Sequence, residues 1–330
     1  MIAGEMRAGS SAYEISKSEI VQPSSLGISG ERPFVDTYNS RIKGFFKTVI
    51  NDNMADLENF MRFSINLKNE NSSISRITLR SIVKKGEKVP ELGFTEEARL
   101  PLGNEWSNHE IVYLGLNSEN RKTNNEIIEE ERRLLRLAIS SKNNSSRINE
   151  VLEKGFSIEI NSINDSDIPN ITRLYQEAYN GSYIFELNNE NINSLVRNPN
   201  SYTATARKDG RVVSIAIAEV ATINMQVKVP YQSEQKLTIS EISDAATFKE
   251  YRGNGLYQSL LEALFISLKG KVDVVFTETR AMHIGVLIPT ACYFKNYGLL
   301  MQHCKISGDR NILRNYDSPY EDLNVWGLIL

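Results

Sequence analysis

Cysteine is scarce in this chain of 330 residues: Cys292 and Cys304 are the two present, with no CxxC pair or accompanying histidine at ligand spacing. That excludes a disulfide framework and a thiolate zinc site. Three histidines, His109, His283 and His303, lack metal-ligand spacing, so no metal is expected. Long apolar runs are absent too, and nothing approaches the roughly 20 consecutive apolar residues of a membrane-spanning helix. The first thirty residues carry Glu5, Arg7, Glu14, Lys17 and Glu19 in place of an export signal's apolar core. Charge of one sign is also lacking: 38 basic against 41 acidic side chains leave −3, which gives no basic field for tracking a phosphate backbone. The expectation is a soluble, cytoplasmic protein with neither nucleic acid nor membrane as partner.

What is present is an ordinary globular composition, 41% hydrophobic and 24% charged, in a chain long enough for two domains. Residues 1–33 are rich in Ser, Gly and isolated charges without a sustained period, and read as a flexible leader. A first α/β unit follows over 34–120. It has an apolar segment at Arg41–Val49, a helix at Asp52–Arg62, an alternating strand at Arg76–Val83 and a closing strand at Glu110–Leu116. Residues 121–154 are charged and Asn-rich around one helical stretch, Ile127–Ile139, and read as a helical linker.

The second domain, 155–330, begins with a strand at Phe156–Ile160 and a helix at Ile168–Tyr179, preceded by capping residues Asn164 to Asp167. Tyr202–Arg207 and Val212–Ala221 form a hairpin around Asp209-Gly210. A strand at Leu237–Phe248, a helix at Gly253–Ser267, a strand at Val272–Thr277 and a helical segment at Ala291–Lys295 come next. Strands at Leu300–Ile306 and Leu323–Ile329 end the series.

The informative junction is Arg252-Gly253-Asn254-Gly255-Leu256-Tyr257, between an apolar strand and an amphipathic helix. Glycines there let backbone N–H groups approach an anion, and the helix N-terminus adds a favourable field, as for a diphosphate. The order of elements around it resembles the GNAT superfamily of acyl-CoA N-acyltransferases. Glu241 to Thr247, Glu250 to Gly253, Thr279-Arg280-Ala281 and Asn324-Val325-Trp326 narrow the resemblance to the β-lysine N-acetyltransferase branch. Leu92 to Ala98 is similar to that branch's N-terminal half. Tyr257 departs from the pattern, where a small residue is usual.

The resemblance implies an α/β (α+β) fold, a GNAT-like mixed central sheet flanked by helices with an N-terminal degenerate GNAT-like half that binds no CoA. It implies acetyl-CoA as cosubstrate, held by Ala246, Thr247, Phe248, Arg252, Gly253, Asn254, Gly255, Leu256 and Tyr257, and transfer of the acetyl group to a small amine or amino acid, β-lysine foremost. A protonated amine cannot attack a thioester, so a base or relay is needed. Glu241 is the candidate, with Asp244 as amine ligand or structural acceptor. Three residues apart on a strand, the two face opposite sides unless a bulge intervenes. The family's usual leaving-group tyrosine is replaced by Phe294, which leaves Tyr293 as candidate acid. Glu278 and Arg280 are candidate substrate ligands, Arg280 for a carboxylate. A natural-product amine acyltransferase and a catalytically silent acyl-CoA-binding module are the open alternatives.

Overall fold

The computed structural model describes residues 33–46, 54–119, 121–143, 145–180, 183–225, 235–305 and 319–329. Apart from Pro33, the leader lies outside them, as do Lys47–Val49 of the first apolar segment. The first half contains β1 (Phe34–Asp36), β2 (Arg41–Phe46), α1 (Met54–Glu70), β3 (Arg76–Lys84), β4 (Thr95–Pro101) and β5 (His109–Asn117). The segment at 95–101, which overlaps Leu92 to Ala98, is a strand.

Two helices follow, α2 (Asn125–Ser140) and α3 (Ile148–Glu153). They are more than a tether, because Ala138 and Val151 are fully buried in the core of the second half. That half runs β6 (Ser157–Ile160), α4 (Ile168–Ala178), α5 (Asn189–Val196), β7 (Ser201–Lys208), β8 (Arg211–Met225), β9 (Gln235–Thr247), α6 (Leu256–Leu268), β10 (Val274–Arg280), α7 (Ile284–Ala291), β11 (Lys295–Lys305) and β12 (Tyr320–Ile329). The β7–β8 turn has positive φ at both Asp209 and Gly210, as a tight two-residue hairpin requires.

Three expectations shift. α5, capped by the Asn188 side chain on the Asn191 amide, was not anticipated. The segment expected as helix at 291–295 follows a helix that ends at Ala291 despite Pro289 in its last turns. A proline so near the end forfeits one hydrogen bond without breaking the helix. Finally, α6 starts at Leu256 rather than Gly253, because Gly253 and Gly255 both take left-handed φ of 81°.

The strands form one mixed sheet in the order β1-β2-β3-β5-β4-β11-β12-β10-β9-β8-β7-β6. From β6 to β11 this is the mixed, helix-flanked arrangement expected of the second domain. The first half repeats part of it: β1–β2 antiparallel, β2–β3 parallel across a helix, then β5 and β4 antiparallel. The same senses recur in β8–β9, β9–β10, β10–β12 and β12–β11. The two series meet edge to edge where β4 pairs β11 at Ala98↔Gly298. A Cβ at Gly298 would run into the Glu97 carbonyl and Ala98, so only glycine lets these backbones approach.

The sheet folds back on itself. In a flat sheet β3 and β9, six strands apart, would be about 29 Å from each other at the usual strand spacing. Arg80 on β3 instead reaches Glu241 on β9 at 3.3 Å. Between the facing halves lies a shared core that includes Phe45, Ile82 and Tyr113 from the first and Ile239, Phe276 and Val325 from the second. α1 covers the outer face of the first half through Leu57 and Met61, while α4 and α6 cover that of the second. No helix among the described residues is long and apolar enough to cross a membrane.

Gly298→Val should destabilise the chain by about 1–3 kcal/mol through overpacking at the seam. Thermal unfolding checks this, and an unchanged midpoint would mean the two edges are not held in this register.

Candidate functional site

β9 and β10 are the strands that open. Their parallel pairing runs Val274↔Ile239, Val275↔Ser240 and Phe276↔Glu241 and stops there. Beyond it the Thr277 hydroxyl still donates to the Ile242 carbonyl at 2.7 Å. On its other side β9 carries a bulge, since Ser243 pairs Ile217 while Ala246 pairs Ile215, leaving two residues of β9 against one of β8. Asp244 sits in the bulge with φ of 50°. The bulge carbonyls are taken up by α4: Tyr175 donates its hydroxyl to the Asp244 carbonyl at 2.6 Å, and Tyr179 to that of Ala245 at 3.1 Å.

The bulge resolves the parity of the two acidic residues. Glu241 and Asp244 both line a single cavity of about 1350 Å³ that enters the opening between the strands. At one end stand Ala246, Thr247, Arg252, Gly253, Gly255, Leu256 and Tyr257. Gly255 caps α6 in left-handed conformation without a side-chain cap, so first-turn amides are not claimed by a capping side chain. Arg252 lies back along the loop, its Nε donating to the Thr247 carbonyl at 3.2 Å. Backbone amides at a helix N-terminus with an arginine beside them can accept an anion.

Two residues expected at this end are placed otherwise. Phe248 is buried under the guanidinium groups of Arg173 and Arg211, and its amide donates to the Val213 carbonyl at 3.1 Å. It shapes the turn from below. Asn254 does not line the cavity, and its side-chain amide donates to the Tyr251 carbonyl at 3.0 Å, stabilising the loop.

The other end is walled by charged groups from both halves, among them Arg41 and Lys43 from β2 and Glu219, Glu241, Glu278, Arg280, His303 and Glu321 from the second. Arg80, 1% exposed, contacts both Glu241 and Glu278 and lies between the Tyr113 and Phe276 rings, 5.2 Å from each. Burial pushes Glu241 up to about 7, against the pull of Arg80 and Lys43. Asp244 is likewise pushed up to about 7 by burial, with Lys43 opposing. Burial would also raise Glu278, but Arg80, Lys43 and His303 together hold it well below the carboxylate range. Lys43 is lowered by burial and by Arg80.

Glu278, expected to meet substrate, is therefore engaged by Arg80, with His303 Nε2 at 3.4 Å. Arg280 faces the cavity and pairs Glu321 at 2.7 Å, while its buried Nη2 has no hydrogen-bond partner among the described residues. Tyr293 is not at the site. It falls past the end of α7, does not line the cavity, and donates its hydroxyl to Glu262 at 3.2 Å. Tyr257 does line the cavity; burial pushes its hydroxyl up to about 12, with Thr290 as hydrogen-bond partner.

Sequence reading missed the contribution of the first half. Its signal was present in β3, where Arg76, Thr78 and Arg80 occupy alternate positions, so that one face of a buried strand is polar. His303 gave no signal, because what turns it inward is a bulge. β11 advances from Leu300 to Cys304 while its partner advances only from Leu323 to Glu321. The freed carbonyls are caught by three arginines: Arg76 on Met301 at 2.6 Å, Arg121 on Gln302 at 2.7 Å and on His303 at 3.1 Å, and Arg41 on His303 at 3.1 Å. Among the described residues no cluster of three or more His, Cys, Asp or Glu side chains is arranged to hold a metal.

Reversing the charge at the loop, Arg252→Glu, should weaken acetyl-CoA binding at least tenfold, about 1.4 kcal/mol, by calorimetry. Unchanged affinity would move the diphosphate elsewhere.

No protein-family model matches the sequence, and no curated protein matches it significantly. Solved structures align with part of the chain. A ribosomal-protein-alanine N-acetyltransferase from Brucella melitensis aligns at 21% identity over 52% of this chain and 99% of its own, with a TM-score of 0.39. NAA60 of Arabidopsis thaliana in complex with acetyl-CoA aligns at 15% identity over 53% and 99%, with a TM-score of 0.41. An N-acetyltransferase from Staphylococcus aureus aligns at 13% identity over 52% and 98%, with a TM-score of 0.39. In each case about half of this chain is matched.

Proposed function

We propose that the chain is an acetyl-CoA-dependent N-acetyltransferase of the GNAT kind, acting in a ternary complex on a small amine or amino acid, with β-lysine as the first candidate. The observation that carries the reading is the opening between β9 and β10, which joins the Arg252–Tyr257 loop and the buried carboxylates Glu241 and Asp244 in one cavity. Acetyl-CoA supplies the activated acyl group. The loop and the start of α6 hold its phosphates, and the unpaired edge of β9 around Ala246 and Thr247 receives the extended arm.

Glu241 removes the proton from the acceptor ammonium. Its proton affinity, near neutrality, suits a base at physiological pH. Asp244, across the bulge, orients the amine. The Arg280 Nη2 atom offers the free donor for a carboxylate, so an acceptor with an amine at one end and a carboxylate at the other finds both charges met. Tyr257 is better placed than Tyr293 to donate toward the leaving thiol. β-Lysine rests on the sequence resemblance together with this charge pattern. A bulkier amine is the second reading, favoured by the aromatic wall Tyr179, Tyr183 and Phe185 on the same cavity.

Incubation of the purified chain and acetyl-CoA with a panel of diamines, amino acids and aromatic amines should release free thiol with a diamino acid such as β-lysine. Product mass locates the new amide. No thiol release with any amine would leave a silent CoA-binding module.

Two variants separate the roles. Glu241→Gln should lower kcat at pH 7 by about 10²-fold. The wild-type base form fills as pH rises through about 7, whereas the variant's deficit shrinks at alkaline pH, where the acceptor deprotonates unaided. Arg280→Ala should raise KM for carboxylate-bearing acceptors and leave a simple diamine nearly unchanged. Full kcat in Glu241→Gln, or equal losses on both acceptor types in Arg280→Ala, would remove the respective role.

A further inference from the structure

Two buried carboxylates face one arginine that comes from the other half of the molecule. Arg80 Nη1 reaches Glu241 Oε2 at 3.3 Å, while its Nη2 makes the closer contact to Glu278. The asymmetry extends outward. Glu278 also has the His303 imidazole, held neutral by burial and by Arg41, as a polar neighbour at 3.4 Å, whereas among the described residues Arg80 is the one ion-pair partner shown for Glu241. We propose that Arg80 is the positioning residue that assigns the two carboxylates their parts, fixing Glu278 as a permanent anion and leaving Glu241 to accept the proton of the acceptor amine. This rests on the acetyltransferase reading above, and it makes the first half an integral part of the active site.

The physical reasoning is that two like charges close together in a buried site cannot both ionise freely, and whichever is better paired stays ionised. Arg80 is held on the line between them by its neighbours: the Tyr113 and Phe276 rings flank its guanidinium, which cannot swing toward solvent. Glu241 feels Arg80 from β3, Lys43 from β2, Glu278 from β10 and Glu219 from β8. Glu278 feels Arg80, Lys43 and His303, the last from β11. The observed split, with Glu241 near 7 and Glu278 well below the carboxylate range, is in the direction this division requires. A lysine at position 80 would keep the charge but not the two-pronged geometry that reaches both carboxylates at once.

The test is the pH dependence of Glu241 read in two ways: kcat with β-lysine as acceptor, and the carboxyl signal of Glu241 in ¹³C-glutamate-labelled protein, identified by its loss in Glu241→Gln. Arg80→Met should move both midpoints up by at least about one pH unit. Glu278→Gln should move them down, because it removes the competing anion and releases Arg80 to Glu241. Arg80→Lys should fall between wild type and Arg80→Met. Acetyl-CoA affinity should be preserved in all three, which reports intact folding. If Arg80→Met does not fold, the opposite displacements of Arg80→Lys and Glu278→Gln decide. Midpoints unchanged from wild type, or displaced in the same direction by both changes, would overturn the assignment and leave Arg80 as a fold-stabilising ion pair. The carboxyl titration needs no acceptor, so its failure is distinguishable from absence of acetyl transfer, which would strike the acetyltransferase reading instead.

Discussion

The structure depends on a buried layer of charge between two sheet faces. The inner face of the first half presents Arg41, Lys43, Arg76 and Arg80, and that of the second presents Glu219, Glu241, Glu278 and Glu321. Arg80 and its two carboxylate partners could not stay dry apart, since an unpaired charge in such a place costs several kcal/mol. Across the two faces Arg80 pairs Glu241 and Glu278, while Arg41 pairs Asp36, Arg76 pairs Glu97 and Arg280 pairs Glu321 each within its own half, with the apolar core around Phe45, Tyr113 and Phe276 beside them. Breaking one such pair from one side costs about 3–5 kcal/mol, because the partner stays buried. The contacts of Arg80 with Glu241 and Glu278 thus tie the two halves together.

The same arginines solve a second problem. β11 must bulge to carry His303 into the site, and the bulge exposes three successive carbonyls to a protein interior. Buried carbonyls need donors. Arg41, Arg76 and Arg121 supply them, and Arg121 is further stacked at 3.6 Å on Tyr320. Arg76 is anchored in turn by Glu97 of the seam strand at 2.5 Å. The seam at Gly298, the bulge and the charged layer are thus one connected construction.

How much of this could be read from the sequence follows from the range of each interaction. The glycine loop, the Asp-Gly hairpin and the amphipathic α4 and α6 were legible, because local backbone preference and periodicity determine them. Glu241 and Asp244 were found, but their common access to the cavity was left conditional on a bulge, and the bulge is fixed by Tyr175 and Tyr179 some seventy residues earlier in the chain. Tyr293 was named only as the neighbour of Phe294, which stands where the family's tyrosine is usual, and its hydroxyl meets Glu262, 31 residues earlier in the chain. The alternation of Arg76, Thr78 and Arg80 marked a polar face on β3, but not what it meets: the partners of Arg80 lie 161 and 198 residues away, and only the folding-back of the sheet unites them.

The repetition of strand order gives that folding-back its meaning. In the second half the parallel pair β9–β10 separates after Glu241, and the space between the strands becomes the slot of the site. In the first half the parallel pair β2–β3 is hydrogen-bonded over six successive residue pairs, Arg41↔Arg76 to Phe46↔Ser81. A pair bonded over that stretch admits no extended ligand arm between its strands there, but it can hold side chains rigidly. Lys43 and Arg80 stand on those two strands, and they are the cations that face Glu241 and Glu278. One parallel pair opens to form the slot, while the described stretch of the other supplies the fixed charges that define the far wall.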